Sequence, residues 1–121
     1  MAKIILPQEK PLFTASNFQN SDEAADGDNL DLSKLINLQL NEISSRGTDN
    51  KIVYVTATNS PDAFTLGGRY DVRGNEVVVR ISIKKNNEIK HRFEEKGTKD
   101  MLKELAISLV TKAADWALAN K

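Results

Sequence analysis

From Glu76 to Glu94 the chain alternates between apolar and polar residues with almost no interruption. Val77, Val79, Ile81 and Ile83 fall on one side of an extended segment, and Val78, Arg80, Ser82 and Lys84 fall on the other. A period of two is the pattern of a strand with one face covered and one face wet. The segment after Lys85-Asn86-Asn87 repeats it, with Ile89, His91 and Phe93 against Lys90, Arg92 and Glu94. The segment before Gly74-Asn75 does so as well, with Leu66, Gly68, Tyr70 and Val72 on the apolar side. Gly-Asn is a two-residue hairpin signal, since both residues tolerate positive φ. Residues 65–94 therefore read as an antiparallel three-strand meander.

Two stretches carry helical spacing instead. Leu32, Leu35, Ile36, Leu40 and Ile43 predict a helix over about 32–46, with Asp31 as N-cap, Arg46 in the last turn and Gly47 as the stop. Gly97 breaks the chain and Thr98 caps a second helix over about 99–119. Its stripe is Met101, Leu102, Leu105, Leu109, Ala113 and Trp116, with Ala106 and Ala117 at the border. Lys51–Ala57 is rich in β-branched residues and apolar on both faces, the composition of a central strand. Residues 3–6 and 12–18 are short apolar pieces broken by Pro7 and Pro11, which suits an edge strand or an extended arm. Residues 19–31 form a polar acidic loop, the segment expected to be flexible. The expected architecture is α+β: one two-layer domain over residues 1–121, a mixed sheet covered by two helices, in the order β-α-β-β-β-β-α.

Charge narrows the function classes. The 17 basic and 17 acidic residues cancel, whereas nucleic-acid binders carry a basic excess to neutralise phosphates. The cancellation is uneven: residues 1–60 hold the acidic surplus and residues 61–121 the basic one. Cysteine is absent, which removes thiol catalysis, disulfides and cysteine-ligated zinc. No stretch approaches the roughly 20 apolar residues of a membrane span. Met1-Ala-Lys-Ile-Ile-Leu-Pro7 is too short for a signal-peptide core. That start fits a cytoplasmic chain, a mature chain whose leader was removed, or a domain excised from a longer protein, so the compartment stays open.

Candidate chemistry is sparse. His91 is the sole histidine and lies on the apolar face, where a structural role outweighs catalysis or metal ligation. Glu94 and Glu95 are adjacent on a strand and point to opposite faces, which does not suit shared acid–base work. The loop from Asp22 to Asp28 fails as a calcium loop, because Ala24 and Ser33 stand where the third and twelfth ligands belong. Gly67-Gly68 lies inside a strand rather than before a helix, so it marks a bulge or a close backbone approach and not a phosphate cradle. No cofactor and no catalytic residue is indicated. The wet face of the meander, with Arg69, Arg73, Arg80, Lys84, Lys90 and Arg92, is the candidate partner surface. Its aromatics, Tyr70 and Phe93, are on the dry side, which weighs against base stacking.

The segment from Phe64 to Ile83, Phe-Thr-Leu-Gly-Gly-Arg-Tyr-Asp-Val-Arg-Gly-Asn-Glu-Val-Val-Val-Arg-Ile-Ser-Ile, resembles the glycine, strand, Gly-Asn turn, strand block of the TolB amino-terminal-like superfamily, which includes FlgO-like, LpoB-like and CsgG-like bacterial envelope domains. The order of elements over about residues 30–118 is similar too. Gly68 looks like that family's strand glycine and Gly74-Asn75 like its hairpin. The resemblance implies a non-catalytic domain acting through protein contacts or assembly, and it carries over no functional residue. The expected function is a non-enzymatic interaction domain of a bacterial protein with a protein partner. The alternative is a small-ligand or nucleic-acid-binding module that uses the basic face.

Overall fold

The computed structural model describes residues 11–22, 27–28, 30–45, 52–55 and 62–120. Its elements are β1 (Leu12–Phe13), β2 (Asn17–Asn20), α1 (Leu32–Ser44), β3 (Val53–Tyr54), β4 (Phe64–Arg73), β5 (Glu76–Lys85), β6 (Glu88–Thr98) and α2 (Leu102–Ala119), with a short 3₁₀ turn over Lys99–Met101. The architecture is the expected α+β one. The strands form a mixed sheet in the order β3-β1-β4-β5-β6, with β2 also paired to β4. The helices pack against each other and share one core with the dry side of the sheet.

The meander forms as its alternation dictates. In β4–β5 the register runs from Phe64 opposite Lys85 to Arg73 opposite Glu76, which leaves Gly74-Asn75 as a two-residue turn. Gly74 takes φ 61 at the first turn position. Asn86 and Asn87 close the β5–β6 turn with φ 54 and 67, the pair of positive values a type I′ turn requires. Leu66, Tyr70, Val77, Val79, Ile81 and Ile83 are fully buried, while Val72 and Phe93 pack at the border of the core.

One part of the dry face is corrected. The β5–β6 ladder is regular up to Ile83 opposite His91 and then shifts, so that Lys84 faces Ile89 and Lys90 is the extra residue. This β-bulge reverses the alternation beyond it. Ile89 goes to the wet side and is 40% exposed. Lys90 leaves the wet side and lines a depression with Phe64, Lys85 and Trp116.

The N-terminal strands also differ from the reading of the sequence. β1 is interior, paired in parallel with both β3 and β4. The segment Lys51–Ala57, expected to be central, contributes the two-residue edge strand β3, where Val53 is 37% exposed. Among its described residues Ile52 lies in the core and Tyr54 packs against it, and Lys51, Thr56 and Ala57 lie outside the described set. Of the acidic loop 19–31, Gln19 and Asn20 belong to β2, beside Arg69 and Tyr70 of β4. Residues 23–26 and 29 lie outside the described set, as do residues 3–6, Arg46 and Gly47.

Between β1 and β2, and on the side of β2 turned away from β4, α1 supplies the backbone partners. Asn37 Oδ1 accepts from the Ser16 amide and hydroxyl, each at 2.8 Å, and Ser33 Oγ accepts from the Phe18 amide at 2.7 Å. Buried backbone donors need such partners, and Ser33 and Asn37 lie one helical turn apart on the same face.

Both helix caps differ from expectation. Asp31 has φ 54 and makes no side-chain cap. Asp28 caps α1 instead, accepting from the Leu32 amide at 2.9 Å and the Ser33 amide at 2.7 Å. Gly97 does not break the chain but lies within β6, where a side chain would press against Leu105 of α2. The Thr98 hydroxyl donates to Asp100 and caps no helix. Met101 is 53% exposed, and the buried stripe of α2 runs through Leu105, Ala106, Leu109, Val110, Ala113 and Ala117.

Candidate functional site

Both helices lie on the dry side, so among the described residues the opposite face of the meander is bare. Across it the register sets Arg69 beside Arg80 and Glu94, Gly67 beside Ser82 and Arg92, and Asp71 beside Val78 and Lys96. Lys84 faces Thr65 and Ile89, and Arg73 faces Glu76. Neighbouring strands are about 4.8 Å apart, so these side chains form one continuous patch.

The predicted cations divide into three groups. Arg80 donates to Asp71 at 2.5 Å. That guanidinium, together with the Ser21 hydroxyl, holds the Asp71 carboxyl below its ordinary range. Asp71 thereby ties β2's exit to the centre of the patch, and Arg80 is the anchored cation. Arg69, Arg73, Lys84 and Arg92 are exposed on the same face and hold no ion pair among the described residues. Lys90 does not belong to the patch. The bulge carries it to the helix side, where it bonds Glu88 at 2.6 Å. Lys96 takes a place on the face that the sequence reading did not assign, because β6 continues four residues beyond Glu94. The unbroken polar alternation of Arg92, Glu94 and Lys96 was the available signal.

The floor of the patch is low at its centre. Gly67 and Ser82 have little side chain there, and a shallow depression of about 700 Å³ opens between Gly68, Arg69, Arg80, Ser82 and Arg92. Gly68 sits at φ 152, where a Cβ would lie 1.9 Å from the Arg80 carbonyl oxygen. The close approach expected of this glycine is therefore real, and it holds β4 tightly against β5 where the arginines emerge.

Two polar arrangements lie outside the patch. Tyr70 Oη donates to Asp28 Oδ1 at 2.6 Å and accepts from the Leu30 amide. Burial and the bond to Asp28 push the Tyr70 phenol well above its ordinary value. Burial alone would raise the Asp28 carboxyl, but the bonds from Tyr70, Ser33 and Leu32 outweigh it and hold the group low. Asp28 is thus fully engaged as a structural residue. His91 stacks on Trp116 with ring centroids 5.0 Å apart and an interplanar angle of 8°. Among the described residues no group of three histidine, aspartate or glutamate side chains could hold a metal ion, and no helix is long and apolar enough to cross a membrane.

No family model and no curated protein matches the chain. Among solved structures, one described as an uncharacterized protein is similar over 93% of this chain and 92% of its own, with 14% identity and a TM-score of 0.47. The N-terminal domain of Thermus thermophilus Protein Y is similar over 86% of this chain and 98% of its own, with 9% identity and a TM-score of 0.41. At these scores neither likeness bears on function.

Proposed function

We propose that this domain is a non-catalytic protein-interaction module of a bacterial protein, and that the bare face of its meander is the contact surface. The observation that carries this reading is the set Arg69, Arg73, Lys84 and Arg92, exposed and without ion pairs among the described residues on a sheet face that neither helix covers. Cations fixed in β-register favour an acidic protein surface and steer its approach. Arginine is also enriched where interfaces concentrate their binding energy. The aromatic rings on which single-stranded nucleic acid stacks are on the other side, at Tyr70 and Phe93. The resemblance to the TolB amino-terminal-like superfamily points in the same direction, and membership in it is part of this proposal.

A second reading rests on the depression over Ser82, which has the size and the arginine rim to take a small anion. The two readings separate in one experiment. The domain is recovered from the cells that make it, in native form and as Arg69→Glu/Arg92→Glu, with and without nuclease. A stoichiometric protein partner lost from the variant supports the proposal. Recovery of nucleic acid that nuclease removes refutes it. Saturable binding of inorganic phosphate by the native domain alone favours the second reading.

A further inference from the structure

β6 ends the sheet. Its inner side pairs with β5 along its length, and its outer side has no strand beside it among the described residues. A strand of 11 residues whose outer amides and carbonyls face no strand among the described residues is a template for another strand. Natural edges are blunted by bulges and charges, and β6 has both. However, the bulge is confined to Lys90, at one end. The charges beyond it are ordered in a way that blunting does not require.

We propose that β6 is a homodimerisation edge, pairing antiparallel with β6 of a second copy about a two-fold axis at Phe93. Opposed residues in an antiparallel pair share a face. A continuous sheet, with both bare faces on the same side, therefore needs the axis to pass through a residue rather than between two. Placing it at Phe93 sets Arg92 against Glu94 of the second copy, and Glu94 against its Arg92, on the bare face. On the helix side it sets His91 against Glu95, twice, with the two Phe93 rings together at the centre. Moving the axis one residue to Glu94 opposes like charges, Glu94 with Glu94 and Arg92 with Lys96. Moving it to Arg92 opposes Arg92 with itself. At the Phe93 register the one like pair is Lys90 with Lys96, at the rim. There the bulge has already turned Lys90 away, and Glu88 holds it. The dimer shares Arg92 with the reading of the bare face: Glu94 of the second copy engages it, and Arg69, Arg73 and Lys84 stay exposed and without ion pairs among the described residues. It would join two such faces into one surface, with the Arg92 side chains at the seam.

The register is testable by charge exchange. Sedimentation equilibrium over a concentration series should show a monomer–dimer equilibrium for the native domain. Arg92→Glu and Glu94→Arg each convert two attractive cross-strand pairs into repulsive ones and should raise the dissociation constant about tenfold or more. The double variant Arg92→Glu/Glu94→Arg restores complementarity and should dimerise again. An equimolar mixture of the two single variants should form a heterodimer, since each then presents the charge the other lacks. Circular dichroism confirms that each variant is folded. A native domain that stays monomeric up to millimolar concentration overturns the proposal. So does a dimer indifferent to both single changes, or one that neither the double exchange nor the mixture restores.

Discussion

Gly68→Ala adds one methyl group to β4 at the point of closest approach to β5. The added Cβ would lie 1.9 Å from the Arg80 carbonyl oxygen and 3.0 Å from its carbonyl carbon. These are backbone atoms of a central strand, so no side-chain rotation relieves the overlap. The residue also has φ 152, in a region that side chains rarely adopt. Holding that backbone costs about 1–3 kcal/mol, and forcing a methyl group into a packed site costs about 1–3 kcal/mol more. The expected loss is thus about 2–6 kcal/mol. With a urea m-value of about 2 kcal/mol/M, the unfolding midpoint should fall by about 1 M or more. Gly74→Ala is the matched control. It has φ 61 but nothing within 4 Å of its Cβ, so it should cost only the backbone penalty of about 1–2 kcal/mol. Urea denaturation followed by the fluorescence of Trp116, the sole tryptophan, measures both variants. If Gly68→Ala is no worse than Gly74→Ala, the close contact between β4 and β5 is wrong.

Asp28→Ala removes the cap of α1 and the acceptor of a buried tyrosine hydroxyl, and should cost about 1–3 kcal/mol by denaturant unfolding. Because the folded state holds the Asp28 carboxyl low, its contribution is full above the unfolded aspartate value of about 3.9. It is lost as pH falls through the lower folded value, so native and Asp28→Ala stabilities should converge in acid, and a gap that stays constant to pH 2 would count against this role. Deleting Lys90 removes the bulge residue and leaves Ile89 opposite Lys84 and His91 opposite Ile83, so the protein should fold with a loss of about 1 kcal/mol or less. Deleting Arg92 instead shifts every later β6 side chain to the wrong face and should abolish the cooperative transition; equal tolerance of both deletions would refute the register.

The meander was legible because its signal is local. A period of two over β5, bounded by Gly74-Asn75 and Asn86-Asn87, leaves little choice of pairing. What the sequence does not mark is the bulge. Ile89, Lys90 and His91 continue the alternation without a break, and the extra residue shows only once β5 is laid beside them. The same limit explains the strand order. β1 is interior because Phe13 packs beside Phe64, a contact 51 residues apart that no local pattern reports. Pro11 does not oppose this, since it precedes β1 and uses only its carbonyl, which accepts from the Val53 amide. Asp31 stood at the position a cap occupies, yet Asp28 fills the role from three residues further back, an Asx-type reach set by the turn between them. Of the six cations named for the partner surface, five lie where alternation put them, and Lys90 departs for the same reason as Ile89.

Overall neutrality turns out to be a poor guide to this surface. The chain carries 17 charges of each sign, but many of the acidic ones are engaged in structural bonds. Asp28 is occupied by α1 and Tyr70. Glu95 turns to the helix side, where Lys112 bonds it at 2.6 Å and Ser108 donates to it. Asp62 accepts from Asn86 at the end of the meander, and Asp100 from Thr98. On the bare face itself, among the described residues, Arg69, Arg73, Arg80, Lys84, Arg92 and Lys96 are set beside the acidic residues Asp71, Glu76 and Glu94 alone. Asp71 is bonded to Arg80 and Ser21, and its remaining influence reaches Arg73 only through space. The field of a surface is set by the charges that remain after such local pairing. Here the remainder is positive, flat and fixed by backbone register. On the reading proposed above, the partner is acidic and would gain from that arrangement at both ends of the strip, and raising the salt concentration should weaken its binding steeply.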